Sequence, residues 1–153
     1  MASEASVGMT RVQRYRAAPV ETTPPLLEAV DPAPVEARRL TRSLLLDASD
    51  LPIALHEGLV TAVSEVVTNA GLHGRPPVTL RGWRRPGEVV VTVEDHGPGP
   101  DQGDLGLAPV ARDAGLGGFG LWLAGQMVSE VALGRTDDAF VVRLVARADR
   151  PGR

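Results

Sequence analysis

The segment from about Pro52 to Leu72 constrains the fold more than any other part of the chain. Read at about 100° per residue, its apolar side chains share one broad helical face. That face consists of Leu59, Val63, Val66, Val67 and Ala70. Glu65 and Asn69 are one helical turn apart, so they stack on a different side of the helix. The pattern predicts a long helix that buries one face against a large apolar partner and presents an acid and an amide elsewhere.

Strand-forming segments on both sides of this helix supply that partner. The predicted elements in chain order are a strand at 26–30, helices at 35–48 and 52–72, strands at 78–83 and 88–94, a helix after 117–120, and strands at 131–133 and 140–146. The runs at 78–83 and 88–94 contain β-branched residues and flank a turn with Pro86-Gly87, which is typical of a hairpin. This order predicts an α+β fold, a two-layer sandwich with the helices on one face of the sheet.

The length favours a single domain, because 153 residues is close to the usual size of one globular unit. Residues 1–24 are polar and irregular, and we interpret them as a flexible N-terminal extension. The domain is expected to span 25–147, with a frayed tail at 148–153. Residues 100–117 form a loop rich in Gly, Asp and Pro. A loop of that length inside a compact domain is usually either functional or disordered.

The charged and sulfur-containing residues exclude several function classes. A formal net charge of -3 disfavours nucleic-acid binding, which depends on an excess of cations. All 16 basic residues are arginine, which rules out a Schiff-base lysine and the phosphate-binding lysine of a P-loop. The absence of cysteine rules out disulfides and thiolate metal sites. No apolar run approaches the roughly 20 residues of a membrane span, so we expect a cytoplasmic protein with no membrane or nucleic-acid partner.

One polar motif lies within the helix at 52–72, and two glycine-rich motifs come after the strand at 88–94. Taken singly, each has an ordinary structural explanation: Glu65 and Asn69 as a solvated helix face, Asp95-His96-Gly97-Pro98-Gly99 as a loop, and residues 117–120 as a glycine turn. Asn69 is the only asparagine in the chain, which is notable inside a helix. No histidine pair has metal-ligand spacing, and no Ser/His/Asp order is visible.

The order of these motifs resembles the GHKL (Bergerat-fold) ATP-binding superfamily, and within it the anti-sigma factor serine kinases of the RsbW and SpoIIAB type. Residues 59–70 followed by His73-Gly74 are similar to the N box of that family. Residues 93–99 are similar to its first glycine box, and residues 117–123 to its second. The resemblance covers about 26–147 and implies a mixed, mostly antiparallel sheet.

The resemblance also implies ATP and Mg²⁺ as cofactors and gives each motif residue a role. Asn69 is expected to be a ligand of Mg²⁺, and Glu65 the catalytic residue that orients or deprotonates the attacking hydroxyl. Asp95 is expected to accept a hydrogen bond from the adenine amino group. The remaining nucleotide-binding residues implied by the resemblance are His73, Gly97, Gly99, Arg112, Gly118, Gly120 and Leu121. Residues 100–117 would be the ATP lid.

The function implied by the resemblance is that of a regulatory serine/threonine kinase. Its substrate would be a serine on an anti-anti-sigma antagonist, and it would sequester a sigma factor. Proteins of this type are usually dimers, and Leu40, Leu44 and Leu45 of the helix at 35–48 are candidates for a homodimer interface. The alternative is that these leucines simply cover the sheet.

Two departures from the family pattern keep other functions open. Arg112 is the only cation near the second glycine box, and Ala139 or Phe140 occupies the late-strand position where many relatives carry threonine. The chain thus lacks the basic lid residue next to the second glycine box and the threonine that many relatives carry. Their absence favours an alternative, a catalytically weak or inactive GHKL binding module that acts by protein contact. A third hypothesis is a detached catalytic domain of a histidine kinase. The short lid and the lack of a phosphoacceptor helix pair disfavour it.

Overall fold

A computed structural model describes residues 12–14, 21–99 and 124–148, with the backbone alone at 12–14. The elements in chain order are β1 (Val12–Arg14), β2 (Leu27–Val30), α1 (Pro34–Leu45), α2 (Ile53–His73), β3 (Thr79–Arg85), β4 (Glu88–Asp95), β5 (Glu130–Arg135) and β6 (Phe140–Arg147). Residues 124–127 are also helical. The predicted loop at 100–117 and the start of the predicted third helix lie outside the described residues.

The strands form one mixed sheet in the order β1-β5-β6-β4-β3-β2. All neighbouring strands are antiparallel except β1 and β5, which are parallel. The α+β class and the mostly antiparallel sheet are therefore confirmed. The expectation that residues 1–24 are irregular is wrong at Val12–Arg14, which pairs with Val131–Leu133 at the edge of the sheet. No sequence pattern indicated this strand, because three residues are too few to show alternation.

The inner face of the sheet and the helices enclose the main core. Alternate residues of β4 and β6 point to this face, as the period of a strand requires: Val89, Val91, Val93, Val142, Leu144 and Ala146 are all buried there. The five apolar residues predicted to share one face of α2 are buried against them. Leu44 and Leu45 of α1 belong to the same core. These two leucines therefore cover the sheet of their own chain.

Element boundaries differ from the sequence prediction at the end of α1 and at the ends of the strands. Helix α1 ends at Leu45 and not near Ala48, because tight turns follow it: the amide of Ala48 donates to the carbonyl of Leu45 at 3.0 Å. Strand β3 continues to Arg85, because Arg85 pairs with Glu88 across the hairpin, and β4 continues to Asp95, which pairs with Phe140. Strand β5 spans Glu130–Arg135 and is longer than the predicted 131–133. Gly87 closes that hairpin with φ of +72°, a conformation that glycine adopts readily.

The outer face of the sheet carries ion pairs and a second, smaller apolar cluster. Trp83, Val90 and Val145 form this cluster. Arg81 bridges Glu28 and Glu94 at 2.7 and 2.8 Å. The hydrogen bonds to Glu28 and Glu94 raise the pKa of Arg81 above its ordinary value. The sheet is thus apolar on its helix side and alternately charged and apolar on the other.

Helix α2 contains two glycines in opposite environments, which allows a matched test of the packing. A Cβ on Gly58 would overlap the backbone carbonyl oxygen of Met127, whereas a Cβ on Gly71 would have nothing within 4 Å. We expect Gly58→Ala to destabilise the fold by about 1–3 kcal/mol through overpacking. Gly71→Ala should instead stabilise it by about 0.4–1 kcal/mol through helix propensity and reduced unfolded-state entropy. Urea unfolding of both variants measures the difference, and equal stabilities would contradict the described contact.

Candidate functional site

The C-terminal half of α2 presents a polar face beside the sheet. Glu65 and Asn69 lie outside the buried stripe and are partly exposed, while His73 is exposed in the last turn. The predicted stacking of Glu65 over Asn69 follows from their spacing within a continuous helix. Thr68, between them in sequence, donates its hydroxyl to the carbonyl of Ser64 at 2.7 Å. The helix thus offers a carboxylate and an amide, one turn apart.

Asp95 is the last residue of β4 and points to the helix side of the sheet. Its position continues the alternation of Val91 and Val93, whose side chains are in the core. It is 6% exposed, so its carboxyl group is buried. Its Oδ1 accepts a hydrogen bond from the amide of Gly97 at 2.7 Å. Since a buried carboxylate has several acceptor sites, Asp95 can accept a further hydrogen bond from a ligand.

Two glycines bring the end of α2 against the end of β4. A Cβ on Gly74 would lie 2.5 Å from Oδ1 of Asp95 and 2.6 Å from the carbonyl oxygen of Ala70. A Cβ on Gly97 would lie 2.6 Å from Cα of Gly74. The amide of His96 also donates to the carbonyl of Arg75 at 2.9 Å. These contacts place Asp95 next to the helix turn that carries Asn69, and they leave no room for side chains there.

The loop after β4 is fixed by strands β5 and β6. Gly99 has φ of +73°, and a Cβ there would lie 2.8 Å from the ring of Phe140. Arg135 donates to the carbonyl of Pro98, and the His96 ring lies 3.0 Å from the carbonyl of Asp138. Three separate contacts therefore hold the predicted first glycine box in one conformation.

Phe140 pairs with Asp95 in the β4–β6 register. This pairing identifies Phe140, and not Ala139, as the residue beside the carboxylate. Phe140 is 8% exposed and belongs to the main core, so an aromatic ring stands where the resemblance leads one to expect a threonine. The wall of the site next to Asp95 is consequently apolar.

The structure brings together only part of the predicted site. Asp95 and Gly97 contact the end of α2 at Gly74, and Gly99 lies against Phe140. Asn69 and Glu65 lie four and eight residues before His73, the last residue of α2. Arg112, Gly118, Gly120 and Leu121 lie outside the described residues. Arg135 was not predicted, Gly74 was predicted only as part of the N box, and Phe140 only as one of two candidates for the late-strand position. Gly74 carried a signal, as a glycine after a helix, but that signal indicates a helix end and not a contact with Asp95.

The described residues suit a ligand that brings its own anionic oxygens. Within the described part of the chain, no three His, Cys, Asp or Glu side chains form a metal-binding group. Mg²⁺ typically takes one or two protein oxygens and completes its shell with water and phosphate oxygens. The Asn69 amide oxygen therefore fits a magnesium–nucleotide complex. The Asp95 carboxyl group, which has acceptor capacity beyond its bond to the Gly97 amide, fits a ligand that carries a hydrogen-bond donor.

We expect Gly74→Ala to disturb the close contact between Gly74 and Asp95. The added Cβ has to displace either the Asp95 carboxyl or the last turn of α2, which costs about 1–3 kcal/mol of folding free energy. The Gly97 amide resonance should shift as well, because that amide donates to Asp95. Urea unfolding and a ¹H–¹⁵N spectrum measure the two effects. Gly71→Ala is the control, and a Gly74→Ala spectrum identical to that of the control would contradict the described junction.

Comparison with known proteins gives a family and a fold. A family model described as "Histidine kinase-like ATPase domain" matches residues 27–146. Of the two helices with defined bounds in the described part of the chain, neither is long and apolar enough to cross a membrane. Among curated proteins, none has a sequence that matches the chain.

Two solved structures align with the chain, and the first of them is similar to it in fold. The RsbU and RsbW domains of Rv1364c from Mycobacterium tuberculosis align with a TM-score of 0.58 and 23% identity, over 86% of this chain and 34% of that one. The chain thus spans about a third of that structure. The histidine kinase domain of the E. coli osmosensor EnvZ aligns with a TM-score of 0.43 and 14% identity, over 88% of this chain and 96% of that one. Because the family model covers well over half of the sequence, the chain belongs to the family of histidine kinase-like ATPase domains.

Proposed function

We propose that the chain binds ATP with Mg²⁺ at the junction of α2 and β4 and acts as a regulatory serine/threonine kinase. The observation that carries the proposal is the position of Asp95. This buried carboxyl lies against Gly74 at the end of the helix that bears Glu65 and Asn69. Membership in an ATPase domain family supports the nucleotide.

Asp95 and its two glycines would recognise the base. The carboxylate accepts hydrogen bonds and cannot donate them, so it selects a ring with an amino group at its edge. Adenine presents such a group, whereas guanine presents a carbonyl oxygen at the equivalent position and would be repelled. Because Gly74 and Gly97 have no side chains, the ends of α2 and β4 approach closely and hold this carboxyl between them.

Asn69 would hold the metal ion and Glu65 would prepare the attacking group. The Asn69 amide supplies a neutral oxygen ligand, and Mg²⁺ neutralises charge on the phosphates when bound. Glu65 lies one turn away, where its carboxylate can orient a serine hydroxyl and take its proton. As the serine oxygen bonds to the γ-phosphorus, the bond to the bridging oxygen breaks and ADP leaves. General-base assistance of this kind is worth about 10²–10⁴-fold in rate.

The protein partners follow from the resemblance of the motifs to anti-sigma factor kinases. The substrate would be a serine on an anti-anti-sigma antagonist, and a sigma factor would be the protein held in its absence, both in the cytoplasm. The fold shared with a structure that includes an RsbW domain is consistent with this assignment.

A second function is favoured by one specific observation, the ring of Phe140 beside Asp95. An apolar wall removes a polar contact to the base and weakens nucleotide binding. In this alternative the domain acts by protein contact, with little or no phosphoryl transfer. Transfer of phosphate from ATP to a serine of an antagonist protein distinguishes the two functions.

Asn69→Ala tests the metal ligand. We expect the Mg²⁺-dependent part of ATP affinity to disappear, which amounts to at least about a tenfold weaker Kd, or roughly 1.4 kcal/mol. Titration calorimetry with and without Mg²⁺ measures it. Thr68→Ala is the control on the same helical turn, because that hydroxyl is already bonded to Ser64. Equal affinities for Asn69→Ala and wild type would remove Asn69 from the site.

Glu65→Gln separates binding from chemistry. The amide keeps the shape of the side chain but cannot accept a proton, so ATP affinity should stay within about twofold while transfer falls by about 10²–10⁴-fold. The measurement is phosphoserine formation on an antagonist protein, followed by mass spectrometry. Glu57→Gln, at an exposed position of the same helix, should transfer at the wild-type rate. Wild-type transfer by Glu65→Gln would show that Glu65 is not the base.

A further inference from the structure

The connection that leads into β2, at residues 21–26, lies on the outer face of the sheet. Its contacts are with outer-face residues of β3 and β6, whereas the helices occupy the inner face. The amide of Leu26 donates to the carbonyl of Gly82 at 2.8 Å, where this connection joins β2 beside β3.

Glu21 anchors the connection at the middle of the outer face. Its carboxylate pairs with Arg85 of β3 and with Nε of Arg143 of β6, the latter at 2.8 Å. These two strands lie on either side of β4. The Glu21 side chain is only 8% exposed, although it is surrounded by charged residues of the sheet. A carboxylate held between two guanidinium groups is a specific, charge-assisted contact.

The charges around Glu21 are arranged to favour its ionised form. Burial raises the pKa of the Glu21 carboxyl, but the hydrogen bonds and positive charges of Arg85 and Arg143 outweigh burial and hold the pKa below its ordinary value of 4.5. The hydrogen bond to Glu21 in turn raises the pKa of Arg85. Glu88 and Glu130 complete the network as further partners of the two arginines.

A second contact lies two residues further along the chain. The indole Nε1 of Trp83 donates to the carbonyl of Thr23 at 2.8 Å. Trp83 is 6% exposed, and its neighbours Val90 and Val145 are fully buried, on a face that no described helix covers. Residues 21–25, which we call the strap, therefore lie over the apolar cluster around Trp83, with Arg85 and Arg143 beside it.

We propose that the outer face of the sheet is a docking surface for an extended acidic peptide, and that its occupant is the strap of the same chain. The surface recognises two features of the bound segment. One is a carboxylate between Arg85 and Arg143, and the other is a backbone carbonyl two residues later that accepts a hydrogen bond from the indole Nε1–H of Trp83. The strap precedes residue 27, where the family match begins. The strap therefore lies outside the residues that the family model matches.

The strap is held on the sheet by polar contacts of Glu21 and Thr23, which can break while the sheet stays folded. Segments with few buried contacts open locally at a lower free-energy cost than global unfolding. Covalent attachment, however, gives the strap an effective concentration in the millimolar range. A free peptide therefore competes only when the tethered segment has been weakened. This inference is independent of nucleotide binding at the inner face.

Exchange of the Trp83 indole hydrogen in the full-length ¹⁵N-labelled chain tests the proposal, with the resonance assigned by Trp83→Phe. Glu21→Arg places a third cation between two others, so the strap should open and indole exchange should accelerate at least tenfold. Glu36→Arg, the same charge change at an exposed position of α1, should exchange within twofold of wild type. A peptide with the sequence of residues 19–26, added at millimolar concentration, should restore protection in Glu21→Arg.

The same peptide with Gln in place of Glu should not restore protection, and wild type should not respond to either peptide because its surface is already occupied. Urea unfolding confirms that each variant still unfolds cooperatively. If Glu21→Arg does not fold, Glu21→Gln is measured and judged by the same criteria. Indole exchange in the Glu21 variant equal to that of Glu36→Arg overturns the anchoring role of Glu21. Opening without rescue by the acidic peptide overturns the docking surface.

Discussion

The burial of α2 against the inner face of the sheet determines the geometry of everything else described here. Its apolar stripe contacts the valines of β4 and the apolar residues of β6, and each fully buried aliphatic side chain contributes about 1.5–3 kcal/mol. Because the helix is continuous, burying this stripe also fixes the direction of every other face. Glu65 and Asn69 take their position from the packing of residues that have no chemical role.

The contact between the end of α2 and the end of β4 turns this packing into a site. Glycine at 74 and 97 permits an approach that any Cβ would prevent. The same approach buries Asp95, which would be costly for an unpaired carboxylate. The Gly97 amide offsets part of that cost by donating a hydrogen bond to Oδ1 of Asp95. The arrangement leaves acceptor capacity on the Asp95 carboxyl group at the end of β4.

Strand β6 serves both faces of the sheet because its side chains alternate. Phe140 points inward beside Asp95, whereas Arg143 points outward and pairs with Glu21. The strand between these two environments is an ordinary antiparallel ladder of eight residues. A change in its register by one residue would exchange the two faces. The candidate nucleotide site and the strap therefore depend on the same register, although they lie on opposite sides of the sheet.

The sequence by itself determined the elements with strong periodicity: the long helix, the valine-rich hairpin and the closing hairpin. It also determined the stacking of Glu65 over Asn69, because helical spacing alone is enough. Tertiary structure decided what joins distant segments: Gly74 against Asp95, Phe140 beside the carboxyl, and Glu21 between two arginines. No local pattern encodes these contacts. They arise from strand order and register, which depend on the packing of the whole sheet, and for the same reason a three-residue strand at Val12–Arg14 could not be foreseen.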